Sequence, residues 1–328
     1  MSTLTQMRQL EQNILKVGVI EELITSDELT AMMQWKGHTG NSLVYNREAT
    51  NPQAQPMGDG AEWADSPFTI TPVTVGLKEV GVQDSATGMA LQTIGNIQAP
   101  TPVLMSRLAK GLGLEIARQI VKGDPDVNPL EIAGLDRTCR NETRMMAMDD
   151  GNIDGPGSSE TELTLARLDA FIDMIRPGKP DILIMPKVMR RKITALARAV
   201  GSGVLLGSES MLGHKFSTYD HIPIVVSDYI TSSEEYADAA TWPTSTATTI
   251  FAVKLGEENN GFTLLHNGPA AVSGSEGKSP HHILSPQIQD IGWLEKFNAR
   301  RWRMVAYLEG LTFSTLSVAA LGGIDSAA

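Results

Sequence analysis

Between Asn41 and Val82 the sequence calls for a partner that one copy of the chain does not obviously offer. NSLVYNREA alternates, with Leu43 and Tyr45 on one face and Val44 and Asn46 on the other, and predicts a strand. TNPQAQPMGDGAEWADSP follows, dense in turn and loop residues. FTITPVTVGLKEVGV then alternates again, Phe68, Ile70, Pro72 and Thr74 against Thr69, Thr71, Val73 and Val75. Two long strands joined by a polar tip make an extended hairpin, with Pro72 suited to an edge strand and Gly76 to a bend. A two-stranded hairpin is marginal alone in water. It needs a surface, and the expectation is one on a neighbouring subunit. Its acidic residues Glu48, Asp59, Glu62 and Asp65 outnumber Arg47, so a basic partner surface is the natural complement.

The second fixed point is TPVLMSRLAKGLGLEIARQIVKG, Thr101 to Gly123. Thr101 can cap, Pro102 fits a first turn and Gly123 supplies a stop. Leu104, Leu108, Leu112, Ile116 and Ile120 recur every fourth residue, while Arg107, Lys110, Glu115, Arg118 and Lys122 fall largely off that stripe. The spacing predicts an amphipathic helix roughly 30 Å long. Gly111 and Gly113 each cost about 1 kcal/mol in an exposed helix interior. That cost implies close approach by another backbone. Upstream, residues 4–33 read as thin helices of an arm laid on another surface, the second of them running through Met33.

After the long helix a Gly/Ser/Asp-rich run, DDGNIDGPGSSE, predicts a boundary near 150–160. Beyond it, ETELTLARLDAFIDMIRPG and KVMRRKITALARAVGSG predict helices. DILIMP, HIPIVVSDYI, TIFAVKL and GFTLLH predict short buried strands, giving a compact α/β unit. Residues 299–321 return to long strands and predict a hairpin with its turn near Glu309-Gly310. That hairpin is expected in a sheet packed on helix 101–122, which would make the α/β unit an insertion.

At 328 residues the chain is long enough for two domains, and its formal charge of -11 argues against a nucleic-acid reader that works by neutralising phosphates. One cysteine, Cys139, excludes an internal disulfide and fits a small buried apolar group. No apolar run reaches the ~18 residues of a membrane span. Gly277-Lys278-Ser279 lacks the earlier glycine and the following helix of a phosphate loop. His281-His282 are adjacent and share no face, so a metal site is not expected. Glu160, Glu162, Asp169 and Asp173 read as a solvated helix face, and Lys187, Arg190, Arg191 and Lys192 as a polar face or subunit contact. No G-x-S-x-G elbow occurs. Neither catalysis nor a cofactor is expected.

The order of elements resembles the major capsid proteins of tailed bacteriophages, the Hong Kong 97 type of fold, which encapsulin shells share. The likeness lies in GNSLVYNRE (40–48), FTITPVTVGLKEVGVQDS (68–85), the helix ending IVKGD, and PDILIMPKVMRRKITALAR (180–198) followed by HIPIVVSDYI. The resemblance implies an α+β fold with an amino-terminal arm at 1–40 and an extended hairpin loop at 41–82. It further implies a peripheral domain at 83–159 plus 271–328 with a spine helix at 101–122, and an axial α/β domain at 160–270. Function would then be an icosahedral shell of hexamers and pentamers around phage double-stranded DNA, bound without sequence specificity. Partners would be copies of the chain itself, a portal, a separate scaffolding protein and optionally a decoration protein, with no membrane. The location would be the virion, assembled in the host bacterial cytoplasm. Candidate inter-subunit contacts are Arg47, Glu48, Asp59, Glu62, Trp63, Asp65, Arg107, Lys110 and Arg118. Two departures stand out. The arm starts too close to Met1 for a long cleaved scaffolding segment, which is why a separate scaffold is expected. The hairpin from Asn41 to Val75 has no lysine, so covalent cross-linking through it is not expected. An encapsulin-like nanocompartment and a soluble α/β enzyme are the alternatives.

Overall fold

The computed structural model describes residues 28–50, 54–59, 65–66, 69–94, 100–148, 161–199, 201, 206–211, 214–231, 247–267 and 287–326. The calls for helix before residue 28 lie outside them, as do Glu62 and Trp63. A short helix α1 (Glu28–Met32) is followed by β1 (Trp35–His38), β2 (Ser42–Thr50), β3 (Thr69–Gly76) and β4 (Lys78–Thr87). Next come α2 (Gly88–Ile94), the long helix α3 (Pro100–Lys122), α4 (Leu135–Asn141) and β5 (Met145–Ala147). Then α5 (Leu165–Ile172), β6 (Ile182–Met185), α6 (Lys187–Ala199), β7 (Leu206–Met211), β8 (His214–Tyr219), β9 (Ile222–Val226) and β10 (Ala247–Val253) follow. β11 (Phe262–Asn267), β12 (Gln287–Trp293), β13 (Ala299–Thr312) and β14 (Val318–Asp325) complete the chain.

α3 buries the stripe that its spacing specifies. Leu104, Leu108, Leu112, Ile116 and Ile120 all join one core with Val80 of β4 and Trp302, Met304, Ala306 and Leu308 of β13. Each such side chain contributes about 1.5–3 kcal/mol on burial. The helix starts at Pro100, so Thr101 lies inside its first turn rather than capping it. The helix ends at Lys122, and Gly123 just beyond it allows a close approach, because a Cβ there would stand 2.4 Å from the Ile132 carbonyl oxygen. Gly111 and Gly113 are a different matter. A Cβ at Gly111 would only graze Val82 at 3.9 Å, and one at Gly113 would meet nothing within 4 Å. No backbone of the described chain presses on either.

β13 organises one sheet. β4 pairs along residues 299–308 on one edge, while β12 and β11 occupy the other edge in tandem and β1 lies beyond β11. The turn expected at Glu309-Gly310 does not exist: β13 runs straight through both residues to Thr312. Gly310 serves close approach instead, since its Cβ would fall 2.1 Å from the Ala133 carbonyl oxygen. Nor does the following strand fold back on β13. β14 enters a second sheet of seven strands, ordered β5-β14-β10-β6-β9-β8-β7.

That second sheet is apolar on both faces, and the alternation decides which core each residue joins. Ile182, Ile184, Phe251, Val253, Val318 and Ala320 face the core that contains α3 and α4. Leu183, Met185, Ile250, Ala252, Ala319 and Leu321 face Leu168, Phe171 and Ile172 of α5 and Met189 and Ile193 of α6. Sheet membership crosses the expected domain bounds at several strands, among them β1 of the expected arm, which pairs with β11 in the β13 sheet. β5 and β14 sit with the strands of 160–270, and β11 sits with β13. Cys139 is fully buried, and that burial pushes its thiol pKa up.

Two glycine substitutions separate these readings. Gly113→Ala should raise the stability of the unassembled chain by about 0.5–1 kcal/mol, the helix-propensity difference. Gly310→Ala should destabilise it by at least about 1–3 kcal/mol through the clash with Ala133. Urea unfolding of the two variants, read by circular dichroism, checks both signs.

Candidate assembly interface

β2 and β3 form an antiparallel two-stranded sheet, in register from Ser42↔Gly76 to Thr50↔Thr69. Among the described residues no third strand pairs with either. Opposed residues share a face, which sorts the side chains. Leu43, Tyr45 and Arg47 stand opposite Val75, Val73 and Thr71 on the half-buried face. Val44, Asn46 and the Glu48 position stand opposite Thr74, Pro72 and Ile70 on the other. There Val44 is 60% and Ile70 49% exposed, two apolar side chains that no described part of the chain covers.

Tyr45 and Arg47, midway along β2, fix the hairpin to the body. Arg47 donates from Nη1 to Glu142 Oε1 at 2.6 Å and from Nη2 to the Thr312 carbonyl at 2.8 Å. Tyr45 donates its hydroxyl to the same carbonyl at 2.9 Å and meets Phe313 edge-on, with ring centroids 5.3 Å apart. β13 thus holds the hairpin through one carbonyl at its end. Burial works against the Arg47 charge, but the bond to Glu142 and the nearness of Tyr45 outweigh it and raise its pKa. Burial raises the Tyr45 pKa, partly offset by Arg47.

Under the root lies a cavity of about 410 Å³ whose lining includes Val73, Val75, Lys78, Arg137 and Glu309. Glu309 is buried and clamps the loop 123–134 to the sheet. Its Oε1 accepts from the Ala133 N–H at 2.6 Å and the Gly310 N–H at 3.1 Å, and Lys78 pairs with it at 3.4 Å. Desolvation outweighs these partners and pushes its carboxyl pKa up.

The expected contact residues divide. Arg47 is engaged with Glu142, and Arg118 with Glu115 at 2.7 Å and Glu131 at 2.8 Å, so both act within the chain. The bond to Glu115 leads in raising the Arg118 pKa, and the same contact lowers that of Glu115. Arg107 and Lys110 are exposed on α3, and Asp59 and Asp65 are exposed near the hairpin tip. Glu48 sits opposite Ile70 in the ladder. Sequence reasoning missed the root itself. Tyr45 and Arg47 share a face by alternation, but nothing local announces Glu142 or Thr312, which lie 95 and 265 residues from Arg47. Among the described residues no cluster of three or more His, Cys, Asp or Glu could hold a metal, and no helix is long and apolar enough to cross a membrane.

Two measurements follow from this geometry. Arg47→Ala should speed amide hydrogen exchange in residues 42–50 and 69–76 while leaving α3 protection unchanged. The Glu309 carboxyl, with its folded pKa above the ordinary 4.5, contributes stability below that value and loses it as pH rises through the folded pKa. Glu309→Gln should flatten that loss in urea titrations run upward from pH 4.5.

No protein-family model matches the sequence, and a comparison with curated proteins finds no match. Solved structures do resemble it. An encapsulin complex from Synechococcus elongatus PCC 7942 superposes with a TM-score of 0.67 at 14% identity, covering 93% of this chain and 90% of that one. The capsid of cyanophage A-1(L) gives a TM-score of 0.65 at 10% identity, covering 93% and 95%. The capsid of a native GTA particle gives 0.61 at 11% identity, covering 93% and 92%. The chain therefore has the α+β capsid fold of the Hong Kong 97 type.

Proposed function

We propose that this chain is a major capsid protein, the structural subunit of an icosahedral shell of hexamers and pentamers enclosing phage double-stranded DNA. One observation carries the reading. A two-stranded hairpin rooted through Tyr45 and Arg47 exposes two apolar side chains, Val44 and Ile70, on a face that no described part of the chain covers. Such a face gains burial only against another molecule, and in a closed assembly that molecule is another copy. Many modest contacts then sum over the shell. In this reading the β13 sheet with α3 is the peripheral part and the seven-stranded sheet the axial part. Arg107 and Lys110 on α3 offer the basic complement to Asp59 and Asp65. A separate scaffolding protein, a portal and optionally a decoration protein would complete the particle, formed in the bacterial cytoplasm and ending in the virion. No step of it needs catalysis.

The encapsulin reading has a specific observation in its favour, the 0.67 TM-score to the Synechococcus complex. The two readings share the shell and differ in its contents. Electron microscopy of particles purified from a lysate distinguishes DNA-filled from protein-filled shells, and size-exclusion chromatography excludes both if the chain elutes as a small oligomer. Deleting Thr50–Ser66, the hairpin tip, should reduce particle yield and stability. Particles of normal size and stability from that variant would refute the hairpin mechanism.

A further inference from the structure

α6 concentrates positive charge within an acidic chain. Its 13 residues include Lys187, Arg190, Arg191, Lys192 and Arg198 and no acid, where the whole sequence has 38 acids against 27 cations. Met189, Ile193 and Ala197 bury the opposite side of the helix against the seven-stranded sheet. At ~100° per residue, Lys187, Arg190, Arg191 and Arg198 then share about a third of the helix circumference. That third faces outward, since all four side chains are exposed.

The fold itself uses only two of the five cations. Lys192 donates to the Asp325 carbonyl at 2.6 Å, which ties α6 to the end of β14, and Lys187 pairs with Asp228 at 2.8 Å. Among the described residues no acid pairs with Arg190, Arg191 or Arg198. Lys187 and Arg190 also lie in the first turn of the helix, where the backbone dipole disfavours cations. Neither helix stability nor an ion pair within the chain accounts for the three arginines.

The chemistry of this face selects its occupant. A protein interface has an apolar centre with large anchoring side chains. This face has none: Val188 and Leu196 turn to the core, and the exposed apolar groups are the methyls of Ala195 and Ala199. Thr194 spends its hydroxyl on the Arg190 carbonyl at 2.9 Å, so it is not available to read a base edge. What remains is a row of guanidinium groups, Arg191 and Arg198 standing ~10 Å apart along the axis, suited to a line of phosphates. Asp169 and Asp173, exposed at α5 on the same side of the sheet, keep the row narrow. We propose that this face of α6 lines the inside of the shell and touches the phosphate backbone of the enclosed DNA without reading its sequence. The proposal rests on the shell-forming reading and goes beyond it, turning the α5–α6 side of the seven-stranded sheet to the interior. A chain of net charge -11 with one short cationic row holds DNA weakly at each copy and evenly over the shell.

Binding of a labelled duplex of about 20 base pairs to the full-length, unassembled chain, followed by fluorescence anisotropy across a salt series, tests the contact. A plot of log affinity against log salt should lose about 0.9 of slope for each phosphate contact removed. Arg190→Gln with Arg191→Gln should therefore flatten it by about 1.8, and adding Arg198→Gln by about 2.7 in all. Lys179→Gln, which alters an exposed cation off this face, should leave the slope unchanged. Duplexes of unrelated sequence should bind alike, and closed particles should not bind added duplex, because the face is inside. An unchanged slope in the triple variant overturns the proposal, as does a preference of more than about tenfold between duplexes. Closed particles that bind duplex as well as the free chain does would turn the face outward and also overturn it. A polyglutamate peptide that binds the unaltered chain more tightly than the duplex, and the triple variant weakly, would assign the face to an acidic protein instead. Normal particles from a triple variant of unchanged slope remove this contact and leave the shell reading standing. If the unaltered chain forms no particles, the shell reading falls and the interior assignment falls with it.

Discussion

A single strand sets the positions of most other parts of this chain. β13 takes β4 on one edge and β12 and β11 on the other. It gives its apolar face to α3, its Glu309-Gly310 step to the loop after α3, and its last carbonyl to the hairpin root. Each attachment uses a different property of the backbone or side chains, so none competes with another. The core stripe is ordinary apolar burial, and a Leu→Ala change within it would cost about 2–5 kcal/mol. The close approach at Gly310 is steric. The hairpin root is polar, and it orients the hairpin without burying its outer face.

Periodicity made much of this legible. The four-residue recurrence from Leu104 to Ile120 marks the buried side of α3, and the alternation on either side of the hairpin tip marks β2 and β3. Short apolar runs such as ILIM and IPIVV read as buried strands because both of their faces are covered. What stayed hidden were arrangements set by distant partners. Glu309-Gly310 carries turn residues, yet it is a place where another segment touches a straight strand. β5 has three residues and β1 four, too few for a period to register. β12 is too polar and too interrupted by its bulge to stand out. The small residues at Gly111 and Gly113 suggested a neighbour that the described chain does not supply.

Charge here sets geometry more than stability. The loop and helix after α3 are tied by Lys122–Asp136, Arg140–Asp124 and Arg137–Asp126. Arg118 bridges Glu115 and Glu131 beside them. Asp126 is exposed, so its pair with Arg137 is worth little individually, whereas Asp124 and Asp136 are buried. As a set they hold the loop where Ala133 can reach Glu309. Burial of that carboxylate is unfavourable, and its two backbone donors and Lys78 are the compensation.

The passage from β13 to β14 occupies only residues 313–317, with Ser314 capping a turn of 3-10 helix. Load arriving at the hairpin root therefore crosses from one sheet to the other through almost no slack. Gly40, at φ +138°, and Gly76, with open space around it, lie on the body side of the Tyr45 and Arg47 anchors. A hairpin pinned in this way can tilt about those glycines only by giving up the Tyr45 and Arg47 bonds to the Thr312 carbonyl.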